Sequence, residues 1–359
     1  MAATDPANRG VLWIIAFGVT APVLLFLREP LSQFVLAILL WFTIDGLANT
    51  LDKRIPFTPR WVALPVALVL VLSLVALIGW VVVENLGAII GDLERYERRL
   101  NEVLAGAHGY FGAPGTPPTV QVLIAQLDPA QLATEIGESL QNLASATIFT
   151  LIYLAFLFPA AAVMPAKLDA IFPAKGRRAA VADVFARIRT SMERYLWVQT
   201  VMSLIITGLT YVTLTIIGLD NALFWSFLIF FLNYIPTIGS VAAVVLTTAV
   251  ALVQFPTLPP VAAVAIGVGV WQFVVGNFIQ PRMTQDSLNL SAVVVLLALS
   301  IWGLLWGIVG AFLAAPLTVM LMIVLAQFQS TRWIAILLSA DGAPVPKDDD
   351  LSKSESGPN

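Results

Sequence analysis

The stretch FLNYIPTIGSVAA, residues 231–243, places Asn233, Tyr234, Pro236, Thr237, Gly239 and Ser240 within eight positions of one another in a strongly apolar part of the chain. Pro and Gly interrupt a helix, and the interruption frees backbone N–H and C=O groups. In lipid such groups are tolerated only where protein buries them or water reaches them. A break of this kind offers a solute or ion uncharged hydrogen-bonding groups and the partial charges of helix ends. A second set lies downstream in GNFIQPRMTQDSLNL, residues 276–290. Gln272, Gly276 and Gln280 fall at i, i+4 and i+8, with Asn277 beside them, so the spacing predicts a polar stripe on one helix face. Pro281 is expected to stop that helix. Arg282 would then lie near the cytoplasmic surface, as a snorkelling residue or a gate contact. A third set is Gly303, Gly307 and Gly310, bracketed by Trp302 and Trp306 and followed by Pro316, inside the apolar run 290–328.

Composition says which elements must position these residues. Of 359 residues, 59% are hydrophobic and 11% charged, and the mean hydropathy is +0.89. Soluble domains carry about a quarter charged residues, so this is a polytopic membrane protein. The net charge of −3 points to no nucleic-acid partner. With no Cys and a single His, His108, the chain has no thiolate chemistry and no expected metal site or cofactor. No His/Asp/Ser or metal-ligand set lies within the apolar segments, which argues against an enzyme.

Spans of about 20 apolar residues are expected at 11–27, 31–50, 61–83, 143–163 and 195–217, with another near 261–280. Arg28, Glu29 and Pro30 read as a tight turn. Residues 84–142 alternate apolar and charged positions at helical spacing, pass through a Gly/Pro-rich loop, and restart at Asp128-Pro129. They read as an extramembrane helical hairpin, a cap or a self-association surface. Residues 164–195 hold the densest basic cluster and are placed in the cytoplasm, as an amphipathic helix on the inner leaflet. The topology that follows has the N-terminus, 52–60 and 164–195 inside and 84–142 outside. The tail, 336–359, is expected to be disordered and cytoplasmic.

The segments 222–235 and 240–253 are each short for a bilayer, as is 290–302. The reading is an all-α polytopic fold with about seven to eight membrane segments, including two re-entrant helical hairpins. Its units would be 1–85, 86–142, 143–221, 222–335 and 336–359. Small residues around Gly310 could equally serve close helix packing. Asp45 and Asp220 are the acids available for ion coupling, although Asp220 most simply caps the helix after it. Glu84 and Glu193 lie at span ends, so no chain of acids crosses the membrane.

Together the two motif regions, FLNYIPTIGSVAA and GNFIQPRMTQDSLNLSAVVVLLALSIWGLLWGIVGAFLAAPLTVML, resemble the signature of the autoinducer-2 exporter family of PerM-like permeases. The similarity covers roughly 10–335, and Asn233, Pro236, Gly239, Asn277, Gln280, Pro281, Arg282, Gly307, Gly310 and Pro316 match recurrent family positions. One departure is Ser291 or Ala292, where relatives often carry Pro. The resemblance implies a multi-pass transporter of the bacterial cytoplasmic membrane, homo-oligomeric with a pentamer as the suggested form. Family members are assigned to export of the furanone autoinducer-2, and some to sodium/proton antiport. The expectation is therefore an exporter of a small polar solute, with two hairpin tips meeting near the solute and access alternating. A sodium(lithium)/proton antiporter and an oligomeric membrane scaffold are the alternatives.

Overall fold

The computed structural model describes residues 22–54, 60–91, 93–110, 117, 119, 121, 129–284 and 289–344. The first expected span, most of the 52–60 linker and the last fifteen residues lie largely or wholly outside these, as does Asp128. The described chain is helical, with six helices long and apolar enough to cross a membrane and two shorter apolar ones. They are α1 Arg28–Arg54, α2 Arg60–Gly91, α3 Leu93–Tyr110, α4 Pro129–Ile171, α5 Lys175–Ile217, α6 Ala222–Leu232, α7 Ile238–Gln254, α8 Leu258–Val274, α9 Gln280–Thr284, α10 Ala292–Ala326 and α11 Arg332–Leu338. A π-helical turn, Val275–Ile279, joins α8 to α9.

The chain divides into two units. One holds Met1–Phe42, Ser145–Met192 and Leu288–Asn359, and the other holds Thr43–Ala144 and Glu193–Ser287. In the second unit the core gathers Met202, Ile206 and Leu214 from α5, Ile229 from α6, Ala243 from α7 and Val264 from α8. Small side chains let backbones approach, the usual basis of helix association in lipid. At Gly267 of α8 an added Cβ would lie 2.7 Å from Thr213 Cγ2 on α5. One turn on, Trp271 Nε1 donates to Thr213 Oγ1 at 2.9 Å.

Several expectations need correction. Arg28, Glu29 and Pro30 form the first turn of α1, where Pro has no helical N–H partner to lose. The basic segment is not a separate surface helix: α5 runs unbroken for 43 residues from Lys175 to Ile217. Asp220 caps nothing. The residue before α6 is Asn221, with φ 54° and no side-chain cap bond, and Asp220 instead meets Arg95 of α3 at 3.3 Å. Pro281 does not end its helix, because the π turn ahead of it changes the hydrogen-bond register and α9 continues through it.

The first part of the expected tail is folded. Leu290 pairs antiparallel with Ser339, and Ser291 N–H donates to Leu338 O at 3.1 Å. Asn289 Nδ2 donates to Asp341 Oδ1 and to Ala343 O, both at 2.7 Å. These bonds tie the start of α10 to the end of α11.

Candidate solute path at the broken hairpins

In the second unit, α6 has 11 residues and α7 has 17. At 1.5 Å per residue they span about 16 and 25 Å, each less than a bilayer's hydrocarbon core of about 30 Å. They pack against each other as a hairpin. Its base is closed by one side chain. Gln254, the last residue of α7, donates from Nε2 to Gly218 O at 2.8 Å and accepts the Asp220 N–H on Oε1 at 2.7 Å. The hairpin therefore returns to the level at which it began. From α3, Arg99 donates to Pro256 O at 2.9 Å and Arg95 holds Asp220, so α3 is pinned to both ends of the hairpin.

The tip is residues 233–237. Asn233 ends α6. The Ile238 N–H then donates to Pro236 O at 2.6 Å across Thr237, whose φ and ψ are 64° and −51°. That is a γ-turn, a conformation rare for any residue and strained for a β-branched one. Thr237 is exposed, and Ser240 Oγ donates to its carbonyl at 2.9 Å. Gly239 is buried against the end of α6, where an added Cβ would collide with the Leu232 carbonyl oxygen. Only glycine lets α7 start so close to the last turn of α6.

Two neighbouring helices supply polar partners to the tip. Gln199 of α5 donates from Nε2 to Asn233 O at 2.7 Å. Gln272 of α8 donates from Nε2 to Asn233 Oδ1 at 3.3 Å. Thr200 Oγ1 lies 2.8 Å from the Tyr234 hydroxyl and 2.6 Å from Leu196 O. Thr200 has one proton and gives it to the Leu196 carbonyl, so Tyr234 donates to Thr200. Asn233 Nδ2 is buried with no partner among the described residues. The result is an uncharged knot of amides and hydroxyls around unwound backbone, with one amide N–H₂ left without a partner among the described residues.

The sequence stripe does not survive intact. Gln272 is buried at the knot, but Asn277 is exposed and donates to Phe273 O of its own helix at 2.9 Å. Asn277 itself lies inside the π turn Val275–Ile279. Each extra residue turns the following face by about 100°. Gln280 is half-buried and Arg282 exposed. Gln199 and Thr200 were missed because they lie on another helix. The signal that could have found them is the run Gln199, Thr200, Ser203, Thr207, Thr210 and Thr213 in an otherwise apolar span.

The other unit carries the second break. Trp306 has φ −127° and ψ 15°, and Gly307 has φ 62° and ψ −140°, so α10 is two helical halves. The chain reverses there. Trp302 Nε1 donates to Thr318 Oγ1 at 3.2 Å, sixteen residues along, whereas a straight helix would separate them by about 24 Å. Thr318 passes its own proton to Ala314 O at 2.7 Å. Gly310 repeats the role of Gly239, since a Cβ there would meet the Trp302 carbonyl oxygen. Pro316 is buried within the second half rather than at the break. In the unit of the first hairpin, Asp45 is buried in α1 at 3% exposure, and a Cβ on the adjacent Gly46 would lie 3.3 Å from Glu193 Cγ.

Apolar helices of spanning length, one of them reversed at Gly307, together with the short hairpin pair α6–α7, define a multi-pass membrane protein of the transport class. Residues 12–330 match the model of the AI-2E family transporters. The chain is 30% identical over 342 residues to the AI-2 transport protein TqsA of Escherichia coli (strain K12), covering 92% of this chain and 94% of that one. It is 25% identical over 325 residues to YhhT of the same strain, also named with the transport proteins, covering 86% and 88%. The chain belongs to the AI-2E transporter family.

Proposed function

We propose that this protein exports a small, neutral, polar organic solute of the autoinducer-2 kind across a bacterial cytoplasmic membrane by alternating access. The observation that carries the reading is the uncharged knot at Asn233. Its amide and hydroxyl groups suit a hydroxylated solute, and TqsA, to which the chain is similar along nearly its whole length, is named for AI-2 transport. The α6–α7 hairpin is the element that moves, entering and leaving the membrane on one side. The protein acts as a homo-oligomer in lipid, with both termini in the cytoplasm.

The test is flux of a small furanose-type diol into proteoliposomes holding the purified protein, against empty liposomes. Saturable flux that is lost in Asn233→Ala supports the reading; wild-type protein that moves no more diol than empty liposomes overturns it. Cation/proton antiport is the second reading, and the burial of Asp45 favours it. A proton gradient that collapses on adding sodium or lithium, and no longer does so in Asp45→Asn, would put antiport first.

A further inference from the structure

The unit bearing the first hairpin contains more orphaned polar groups than the knot itself. Ser203 Oγ, Thr207 Oγ1 and Thr210 Oγ1 of α5, and Ser226 Oγ of α6, are buried with no hydrogen-bond partner among the described residues. Ser203, Thr210 and Ser226 are fully buried, at 0% exposure. A hydroxyl in an apolar helix ordinarily folds back on the carbonyl one turn earlier. Thr200, Thr213 and Thr247 of this unit do so at 2.6, 2.8 and 2.8 Å. Ser203, Thr207 and Thr210 do not. Their spacing, i, i+4 and i+7, stacks them on one face of α5. That face begins one turn beyond Gln199, which holds the Asn233 carbonyl. It is also uncharged: no Asp, Glu, Lys, Arg or His occurs in α5 after Arg194.

Buried polar atoms without protein partners are satisfied by water or ligand. A dehydrated ion on this face would meet no countercharge from α5, whereas a molecule with hydroxyl groups would find both donors and acceptors. We propose that the Ser203–Thr207–Thr210 face of α5 is the hydrated wall of a permeation path that starts at Asn233, occupied by water and a neutral hydroxyl-bearing solute rather than by an ion. This rests on the transporter reading above and gives it a route.

The chain has no cysteine, so single thiols can be introduced into the full-length protein without other changes. Ser203→Cys, Thr207→Cys and Thr210→Cys would be treated with methyl methanethiosulfonate in proteoliposomes and followed by mass. Val198→Cys and Ile206→Cys, at buried apolar positions of the same helix away from the centre of that face, are the references. Only a thiolate reacts, and a thiolate needs water, so the three hydroxyl positions are expected to react about tenfold faster than the references. Equal, slow rates would overturn the proposal.

Radiolytic hydroxyl-radical footprinting of the unsubstituted protein gives a second readout that depends on no variant. Met202, next to Ser203, is expected to oxidise ahead of Met192, which is equally buried ten residues earlier in α5. Equal protection of the two would count against a wet face. Replacing choline by sodium should leave the thiol rates unchanged, and slowing by sodium would overturn the neutral assignment. Diol flux with silent thiols keeps the transporter and discards this path; reactive thiols without diol flux do the reverse.

Discussion

Gln254 and Asp220, 34 residues apart, are joined by a 2.7 Å hydrogen bond from the Asp220 N–H to the Gln254 side chain. The same side chain reaches the Gly218 carbonyl, so one residue closes the base of the α6–α7 hairpin. Gln254→Ala removes both bonds at once. Both bonds are exposed and water compensates much of their loss, so a destabilisation of at most about 1 kcal/mol is expected. Thermal unfolding in detergent measures it. Gln254→Glu should retain the acceptor but lose the donor to Gly218, and so fall between the two. No change in Gln254→Ala would mean that the base is held by packing alone.

The two breaks are built on one device, a glycine pressed on the last carbonyls of the preceding helix. Gly239 meets Leu232 O and Gly310 meets Trp302 O. Backbone cannot yield as a flexible side chain can, so Gly239→Ala and Gly310→Ala should each cost about 3 kcal/mol, the upper range for overpacking. Gly276→Ala, where a Cβ meets nothing within 4 Å, is the control and should be close to neutral. Monodispersity and unfolding midpoints of the three variants make the comparison. If Gly239→Ala folds as well as Gly276→Ala, the hairpin tip is looser than drawn.

Much of this was legible in the sequence because the residues at the breaks are poor helix formers in a chain that is otherwise helical. Asn233, Pro236 and Gly239 mark the first tip, and Gly307 marks the second. Asn233 and Gln272 do meet. The expectations that failed did so where a local rule lost to tertiary context. Asp220 has the composition of a cap, but an arginine from a distant helix takes it. Gln280 shares a stripe with Gln272 only if the helix is regular, and a π turn is not visible in periodicity. Gln199 lies on a helix that the motif does not include. The folded start of the tail depends on Asn289, some fifty residues before Asp341 and Ala343.

Thr237 holds a positive φ of 64° at the centre of the γ-turn. For a β-branched residue this stores strain of roughly 1–3 kcal/mol, while glycine would carry only its own entropy cost of about 0.5–1 kcal/mol. Thr237→Gly should therefore stabilise the protein by about 1 kcal/mol. Its exposed side chain makes this a clean substitution. An unchanged or lower unfolding midpoint would show that the tip relaxes around Thr237. If the strain helps the hairpin to move, the stabilised variant will also transport more slowly.

Asp341 has its carboxyl held below the usual range, first by the Ala343 N–H and then by the Asn289 side chain, both donating to it. A carboxylate with a depressed pKa adds stability above its unfolded pKa and loses it as the pH falls through the folded one. The contacts at the end of α11 should therefore be constant at neutral pH and weaken only below about pH 4, near the ordinary value for Asp. Hydrogen exchange at the Ala343 amide, corrected for intrinsic pH dependence, should show protection lost over that window. Asp341→Asn should flatten the response. Loss of protection near pH 6 would assign the effect to another group.

The knot itself offers the most direct test of function. Gln272 donates to Asn233 Oδ1, and Asn233 Nδ2 is left buried and free to donate to whatever occupies the break. Replacing Gln272 by Leu keeps the volume but strands the Asn233 oxygen, at a cost of about 1–3 kcal/mol for a buried acceptor. Asn233→Ala removes the free donor as well as the oxygen. The two changes should couple, because either one removes the same bond. The double variant is expected to be about 1 kcal/mol more stable than the sum of the singles predicts. Flux separates the roles. Asn233→Ala should lower diol transport more than Gln272→Leu does at matched stability, since of the two residues Asn233 is the one with an unpaired group to offer the solute. If the two variants transport alike once stability is matched, Asn233 is a structural partner of Gln272 and not a solute ligand.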